Sequence, residues 1–485
     1  MMSAAGIPAT ALYNAGNSAF DAGDLEAALD LYTGALLESG GEPSADLLHN
    51  LELTQRLLQQ QQEQEEPSTG EQILRGVLDV LTGRNQQQEP AQPTQPAVDA
   101  QAERAQTMEE VLMHPRRADD RARDAWRHPA ETLAFTLMLS PDGSQPDGLA
   151  VVDVDPSSST YSTIVHTVMM PYKGDEFHHF GWNACSSALS PLTGHAFLER
   201  RYLIIPGLRS SRIYIVDTKP SPTEAKIHKI IEPEEVFEKT GYSRPHTIHC
   251  GPEGIYVSTL GGGGPDGTDG PPGIFIMDCE TFDVIGRYEM DRGPQDKQYD
   301  FWWNLPRDYM VSSEWALPPQ FENGIVPEDL LSNKYGHRLH FWNLRERRNV
   351  QTIDLGANHQ MALEVRPAHD PIKEYGFVGV VVDTTNLEGS IWTWWRENGT
   401  FHCRKTATIP PEPAAKDDLP ALLQGFEAVP PLITDIDLSL DDRFLYVACW
   451  GQGEMHQYDV SDPMNPKLAG KVEIGGIVKK TPHPN

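Results

Sequence analysis

The sequence predicts a mainly β fold of the propeller type, on two observations. Beyond about residue 130 the chain breaks into short β-branched and aromatic runs separated by Gly, Pro, Asp and Asn. Within that texture an apolar strand closed by an acidic or amide residue keeps returning, at Leu149–Asp153, Ile213–Asp217, Ile274–Asp278, Leu339–Asn343 and Met455–Asp459. A weaker copy runs Ile391–Trp395, with Glu397 and Asn398 behind it. The interval is roughly 60 residues, long for a solenoid but suited to four-stranded blades with generous loops. Six copies are visible, so about six blades are expected around a central channel. The last copy is the cleanest, with Arg443–Trp450, Glu454–Val460 and Leu468–Ile474 reading as three successive strands.

Ahead of the propeller, assigned to 130–485, lie two further zones. Over 8–62 small and apolar residues recur at helical spacing, and Gly23-Asp24 marks a turn between two helices. Ala19, Gly23, Ala28, Tyr32 and Ala35 match the small and aromatic positions of a tetratricopeptide repeat, which makes this segment a candidate protein-interaction module. Residues 63–125 are rich in Gln, Glu and Pro, a composition that buries too little apolar surface to offset chain entropy, so a linker with short helices is expected.

The 485 residues carry 39 Lys+Arg against 70 Asp+Glu, a net charge of -31. Such a surface repels phosphate backbones and anionic headgroups and argues against generic nucleic-acid or membrane-surface binding. No apolar run approaches the length of a membrane span, and Met1–Leu12 lacks the pattern of a secretory leader. Five scattered cysteines, none in a CxxC pair, fit reduced thiols in a cytoplasmic protein.

Candidate chemistry concentrates in two histidine-rich strings, Asp175–Ser187 with His178, His179 and Cys185, and Ser243–Cys250 with His246 and His249. Imidazole is a common ligand for late first-row metals. In a regular strand His178 and His179 point to opposite faces, as do His246 and His249, so a shared ion requires the backbone to leave the strand conformation, which Gly181 and Pro245 would permit. Cys185 is a candidate reactive thiol. Glu314, in Ser312–Ala316, is a candidate acid facing the channel. The loop Gly261–Gly273 lacks the Lys-Ser/Thr ending of a phosphate-binding loop and reads as an inter-strand connection.

At these strings the sequence resembles a known family. His178–Ser187, Pro206–Asp217, Tyr299–Trp302, Ser313–Trp315 and Leu432–Tyr446, followed by Gln457–Pro463, resemble the selenium-binding protein family, also called methanethiol oxidases, over roughly 130–485. The resemblance implies a seven-bladed propeller and copper-dependent oxidation of methanethiol, a small thiol, by O2 and water to formaldehyde, hydrogen sulfide and hydrogen peroxide. It also implies copper held by His178, His179, His246 and His249, with His369 a further candidate, and selenium association through cysteine, for which Cys185 is the candidate here. Two departures accompany it. Animal members carry a cysteine in a Tyr-Cys-x-x-x-His context, whereas this sequence reads Tyr161-Ser162 before His166; and members continue past the Gly475-Gly476 region, so a C-terminally truncated propeller of about six blades is expected. The alternative function is a non-catalytic selenium-binding scaffold that recruits a partner through the helical repeat.

Overall fold

The computed structural model describes residues 9–21, 27–29, 31, 32, 35, 47, 54, 129–184, 198–262, 270–370 and 372–478. The chain separates into two compact units, 1–92 and 93–485. In the first, α1 (Ala9–Asp21) is followed by helical residues at 27–29, 31, 32 and 35. Ala28, Tyr32 and Ala35 are fully buried at helical spacing with Leu12 and Leu47, and the Tyr32 hydroxyl donates to Asn17 Oδ1 at 2.7 Å. Gly23-Asp24, the rest of the proposed repeat, the linker 63–125 and Cys185 lie outside the described residues.

The second unit is a propeller of six blades among the described residues, each an antiparallel meander. Blade 1 holds β1 (Leu133–Met138), β2 (Gly148–Asp153) and β3 (Ile164–Met169); blade 2 holds β4 (Gly181–Trp182), β5 (Tyr202–Pro206), β6 (Ile213–Asp217) and β7 (Lys226–Ile231). The helix α2 (Pro233–Thr240) leads into blade 3, with β8 (Pro245–Gly251), β9 (Gly254–Thr259), β10 (Gly273–Met277) and β11 (Val284–Arg287). Blade 4 holds β12 (Phe301–Asn304), β13 (Tyr309–Ser313), then the short helix α3 (Pro327–Leu331), β14 (Arg338–Asn343) and β15 (Arg348–Asp354). Blade 5 holds β16 (His359–Pro367), β17 (Tyr375–Asp383), β18 (Gly389–Glu397) and β19 (Thr400–Ile409). A two-stranded ribbon, β20 (Glu412–Pro413) with β21 (Ala428–Val429), separates it from blade 6, with β22 (Ile433–Leu438), β23 (Phe444–Cys449), β24 (Glu454–Asp459) and β25 (Lys467–Glu473).

The blades pack through apolar clusters, one for each pair of neighbours in sequence. Strand alternation explains how one strand serves two of them: Leu203 and Ile205 of β5 join Leu149 and Val168 of blade 1, while Ile204 joins Ile255, Val257 and Phe275 of blade 3. A strand buried on both faces has no polar side, which is why these runs are continuously apolar. The recurring motif occupies β2, β6, β10, β14, β18 and β24, and in every blade its pairing with the next strand slips by one residue at the same place. The slips fall at Val151/Val152, Ile215/Val216, Ile276/Met277, Phe341/Trp342, Ile391/Trp392 and Gln457/Tyr458.

The closing acid or amide then opens the turn by accepting a backbone N–H with its own side chain. Asp153, Asp217, Asp278 and Asp459 each do so two residues on, at 2.8–3.0 Å, and Asn343 three residues on at 2.8 Å. In blade 5 the slip puts Thr393, not Trp395, in the equivalent place, correcting the expected position of the weak copy. β18 runs on past that point to Glu397, so the turn signal sits later than the structural repeat.

Candidate metal centre

The innermost strands β4, β8, β12, β16 and β22 begin at one end of the channel, and at that end each carries a bulge. Phe177 bridges Gly207 and Gly181 pairs with Ile204, leaving one extra residue across His178, His179 and Phe180. The same slip lies between Pro245 and Ile248 around His246 and Thr247, between Ala362 and Val365 around Leu363 and Glu364, and between Ile433 and Asp435 around Thr434. In blade 4 Ser313 accepts from Tyr299 N–H and donates to Asp300 O, so two residues again oppose one. A bulge cancels the period-2 rule and re-aims side chains. Adjacent residues can therefore both serve the channel, which a flat strand forbids.

In four of these blades the residue just before the paired residue that opens the bulge is a non-glycine in the left-handed region: Glu176, Arg244, Met361 and Leu432, with φ of 58°, 61°, 65° and 49°. Such backbone costs about 1–3 kcal/mol per residue and persists where surrounding contacts over-determine it. At Gly181 a Cβ would come within 2.7 Å of Ile248, so glycine lets β4 approach β8 and brings the two histidine strings together.

The rings of His179 and His246 lie 4.2 Å apart, and those of His178 and His246 5.6 Å apart. His246 is 1% exposed and packs on Tyr299 at 4.6 Å. Its Nδ1 lies 3.2 Å from Thr247 Oγ1, and that hydroxyl donates to Tyr299 O at 3.3 Å. With its proton committed, the hydroxyl must accept from Nδ1–H, which leaves Nε2 as the bare lone pair. That Nε2 is buried and has no hydrogen-bond partner. Burial holds His246 well below the ordinary imidazole range, with the neighbouring His179 and His178 adding to the effect. His179 keeps 26% of its side chain open to the channel yet is enclosed by protein, and this burial pushes it down to about 4. Both rings are neutral near pH 7.

Further along the strands is a charged layer. His249 Nε2 lies 3.5 Å from Asp300 Oδ1 without hydrogen-bond alignment, and both atoms are buried with no other partner. The His249 ring packs on Trp302 at 4.1 Å. Asp300 Oδ2 accepts from Val365 N–H and Arg366 Nη1, each at 2.9 Å, tying blade 4 to blade 5. Arg366 also binds Glu364 at 2.9 Å and approaches Asp435 and Asp437 at 3.5 and 3.7 Å. Burial, reinforced by Asp300, raises the Glu364 carboxyl well above the ordinary range. Burial also pushes on Asp300, but His249 and Arg366 outweigh it and hold Asp300 below its ordinary value. Glu364 Oε1 lies 3.4 Å from His179 Nε2 and joins the two layers.

The remaining candidates lie elsewhere. His369 follows the far end of β16, where its Nδ1 meets Asp442 Oδ1 at 3.1 Å. Glu314 does not face the channel: it is fully buried within its blade, 2.8 Å from His340 Nε2 and 3.0 Å from Arg338 Nε, because the strand alternation turns it toward β14. Ser162, at the departure noted in the sequence, sits in the exposed turn before β3 with φ 65°. Burial pushes the thiols of Cys403 and Cys449 up to about 12, away from reactivity. The sequence reading missed Thr247, Asp300, Glu364, Arg366, Asp435 and Asp437. Their common signal is position, at or just past the same bulge in successive blades.

Among the described residues no three His, Cys, Asp or Glu side chains already converge as a coordination set. The donors nevertheless suit a late first-row metal in kind: neutral imidazoles, with the buried His246 Nε2 lacking a hydrogen-bond partner and His249 Nε2 facing only Asp300 Oδ1 at 3.5 Å. An unsatisfied buried polar atom costs about 1–3 kcal/mol, which a cation would return.

The sequence model of a family described as "56kDa selenium binding protein (SBP56)" matches residues 116–485. A protein named methanethiol oxidase from Xenopus laevis is 40% identical over 361 residues, 74% of this chain and 72% of its own. Selenium-binding protein 3 of Arabidopsis thaliana is 39% identical over 355 residues, 73% of this chain and 70% of its own. The crystal structure of a hypothetical selenium-binding protein from Sulfolobus tokodaii superposes with a TM-score of 0.70 at 52% identity, covering 75% of this chain and 79% of that one.

Proposed function

This chain belongs to the 56 kDa selenium-binding protein family, and from that premise we propose that it is a methanethiol oxidase, converting methanethiol, O2 and water to formaldehyde, hydrogen sulfide and hydrogen peroxide at a copper site. The observation that carries this reading is the buried, neutral, unpartnered Nε2 of His246 beside His179 in the channel. His178, His179, His246 and His249 are the residues that would hold copper. Copper bound there would polarise the thiol sulfur, lower its pKa and exchange electrons with O2.

The chain's own residues supply the rest. Thr247 holds the His246 tautomer that leaves Nε2 open. Glu364, its carboxyl raised above the ordinary range by burial and 3.4 Å from His179 Nε2, is placed to give or take a proton beside the ring. Arg366 keeps the facing Asp300 ionised and fixed. Tyr299, Leu208, Leu260 and Leu363 close an apolar rim that limits water at the histidines. A cavity of about 510 Å³ beside His178, walled by Leu139, Asp142, Asp147, Glu176 and Arg209, is the approach for a small molecule.

The test is reconstitution of the purified full chain with copper, followed by metal analysis and by assay of methanethiol-dependent formaldehyde and hydrogen peroxide. Copper-dependent turnover that disappears in a folded His246→Ala variant is the expected result. Copper-loaded protein that consumes no methanethiol would refute the activity, and turnover without copper would refute the metal.

A further inference from the structure

In blades 2 to 6 the innermost strand runs away from the site and the next returns, so the connection that follows the returning strand lies at the rim around the histidines. In blade 4 that connection, 314–337, is by far the longest, and it folds into a cap containing α3. Its aromatic residues reach the site: Trp315 lies 6.5 Å from the His246 ring and 5.5 Å from Tyr299, and Phe321 stacks on Trp315 at 4.1 Å. Both are only partly buried, and they join Leu208, Leu260, Leu363, Leu387 and Leu432 in an apolar collar drawn from blades 2 to 6.

The cap is fixed from several sides. At its base Gly336 N–H donates to Trp315 O, and a Cβ at Gly336 would collide with Glu314, so the two ends close only through glycine. Tyr335 donates to Gln320 O at 2.6 Å inside the cap, and Thr384 of blade 5 donates to Asn333 Oδ1 at 2.9 Å. The residue after Phe321 carries the main anchor. Glu322 Oε1 accepts from Arg244 Nε of blade 3 at 2.8 Å, and Glu322 O accepts from Arg209 Nη2 of blade 2. Arg209 also binds Glu176, whose other oxygen lies 3.1 Å from His178 Nε2.

Resting on the thiol-oxidase reading above, we propose that Trp315 and Phe321 form the wall that limits the size of the alkyl group on a thiol reaching the His179–His246 pair, and that Glu322 is the positioning residue for that wall. The aromatic stack stands beside the His246 ring, and the polar cavity opens at the neighbouring His178. A one-carbon thiol can occupy that space with its methyl group against the aromatic faces, whereas each added methylene must displace the stack. Glu322 transmits the positions of blades 2 and 3 to Phe321, one residue away.

The test uses the copper-loaded full chain with methanethiol and 1-butanethiol, reading kcat/KM for each and the dissociation constant of each by calorimetry. Hydrophobic pockets discriminate by about 10- to 200-fold per methylene. Phe321→Ala should therefore raise the butanethiol-to-methanethiol ratio of kcat/KM at least tenfold, with the gain in KM for butanethiol. Phe321→Leu, which keeps most of the packing, should give an intermediate ratio and serves if the alanine variant does not fold. Glu322→Gln should move the ratio the same way by a smaller factor, and Glu322→Asp should restore part of the selectivity, a rescue that a merely structural role would not produce. Ratios within twofold of the parent in folded, copper-loaded Phe321 variants would overturn the proposal. If the parent oxidises neither thiol, the activity reading fails alone: a matching shift in the ratio of dissociation constants still supports the wall, and an unshifted ratio, or no binding of either thiol, overturns it.

Discussion

Two sets of bulges recur around this propeller, and they differ in what they carry. Beside the repeat strands the extra residue falls at one place in all six blades, where the next strand carries Val165, His228, Ile285, Val350, Thr406 and Ala469. The repeat-strand residue just past each slip, from Val152 to Tyr458, is apolar or aromatic, and the bulge serves the twist that lets blades stack. At the start of the innermost strands the same device carries His178 and His179, then His246 and Thr247, Tyr299 and Asp300, Leu363 and Glu364, and Thr434. An invariant place against an apolar or aromatic neighbour marks the bulge that serves architecture, and polar side chains gathered from several blades at one level mark the one that serves chemistry.

Substitutions on the two sides should separate accordingly. The largest effect is expected behind the repeat strands: Trp342 is fully buried between blades 3 and 4, and Trp342→Ala should cost about 3–5 kcal/mol, read as a lower denaturant midpoint. A loss below about 1 kcal/mol would show that the interface collapses around the gap. On the channel side the order reverses. His246→Ala should leave the stability of the metal-free chain within about 1 kcal/mol of the parent while weakening copper binding at least tenfold, since even indirect changes around metal sites cost about 10- to 100-fold. Stoichiometric, tight copper in that variant would remove His246 from the site.

A smaller change should separate ligand from support. Thr247→Val keeps the shape but removes the acceptor for His246 Nδ1–H, so copper affinity should fall by about tenfold, and Thr247→Ser should recover it. Equal affinity in the valine and serine variants would mean that the tautomer is set by something other than this hydroxyl. The mildest readout is pH. His179 is held down to about 4 in the folded chain against an ordinary value of 6.5, so between those values the unfolded chain binds the extra proton. Its contribution is therefore complete above pH 6.5 and is lost as pH falls toward 4. Glu364, raised in the fold, works in the opposite direction, so the diagnostic quantity is the difference between parent and His179→Gln in urea midpoints at pH 7.5 and 5.0. A parent no more acid-sensitive than the variant would contradict a buried neutral His179.

Legibility in the sequence followed the range of the interactions. Arg443–Trp450, Glu454–Val460 and Leu468–Ile474 were readable as strands, and β23, β24 and β25 match them within a residue or two, because alternation and turn chemistry act between near neighbours. The five Asp and Asn turn-openers were readable for the same reason. Trp395 was not distinguishable from Thr393 as the blade-5 repeat position, since nothing local reports that β18 runs on. Glu314 looked like a channel acid from its aromatic neighbours, whereas its true partners, His340 and Arg338, stand on the next strand.

The sequence by itself determined that strands would form, that they would group into about six blades, and that two histidine strings would stand out, because composition, periodicity and turn residues are properties of short stretches of chain. Tertiary structure decided which histidines meet. His179 and His246 come together because Gly181 admits β4 against β8, and because one extra residue at the start of each innermost strand turns neighbouring side chains the same way. Asp300, Glu364 and Arg366 join them only because blades 4 and 5 bulge at the same level as blades 2 and 3, a coincidence of register across strands far apart in sequence. Backbone hydrogen bonding between strands sets such register, and no single strand contains it.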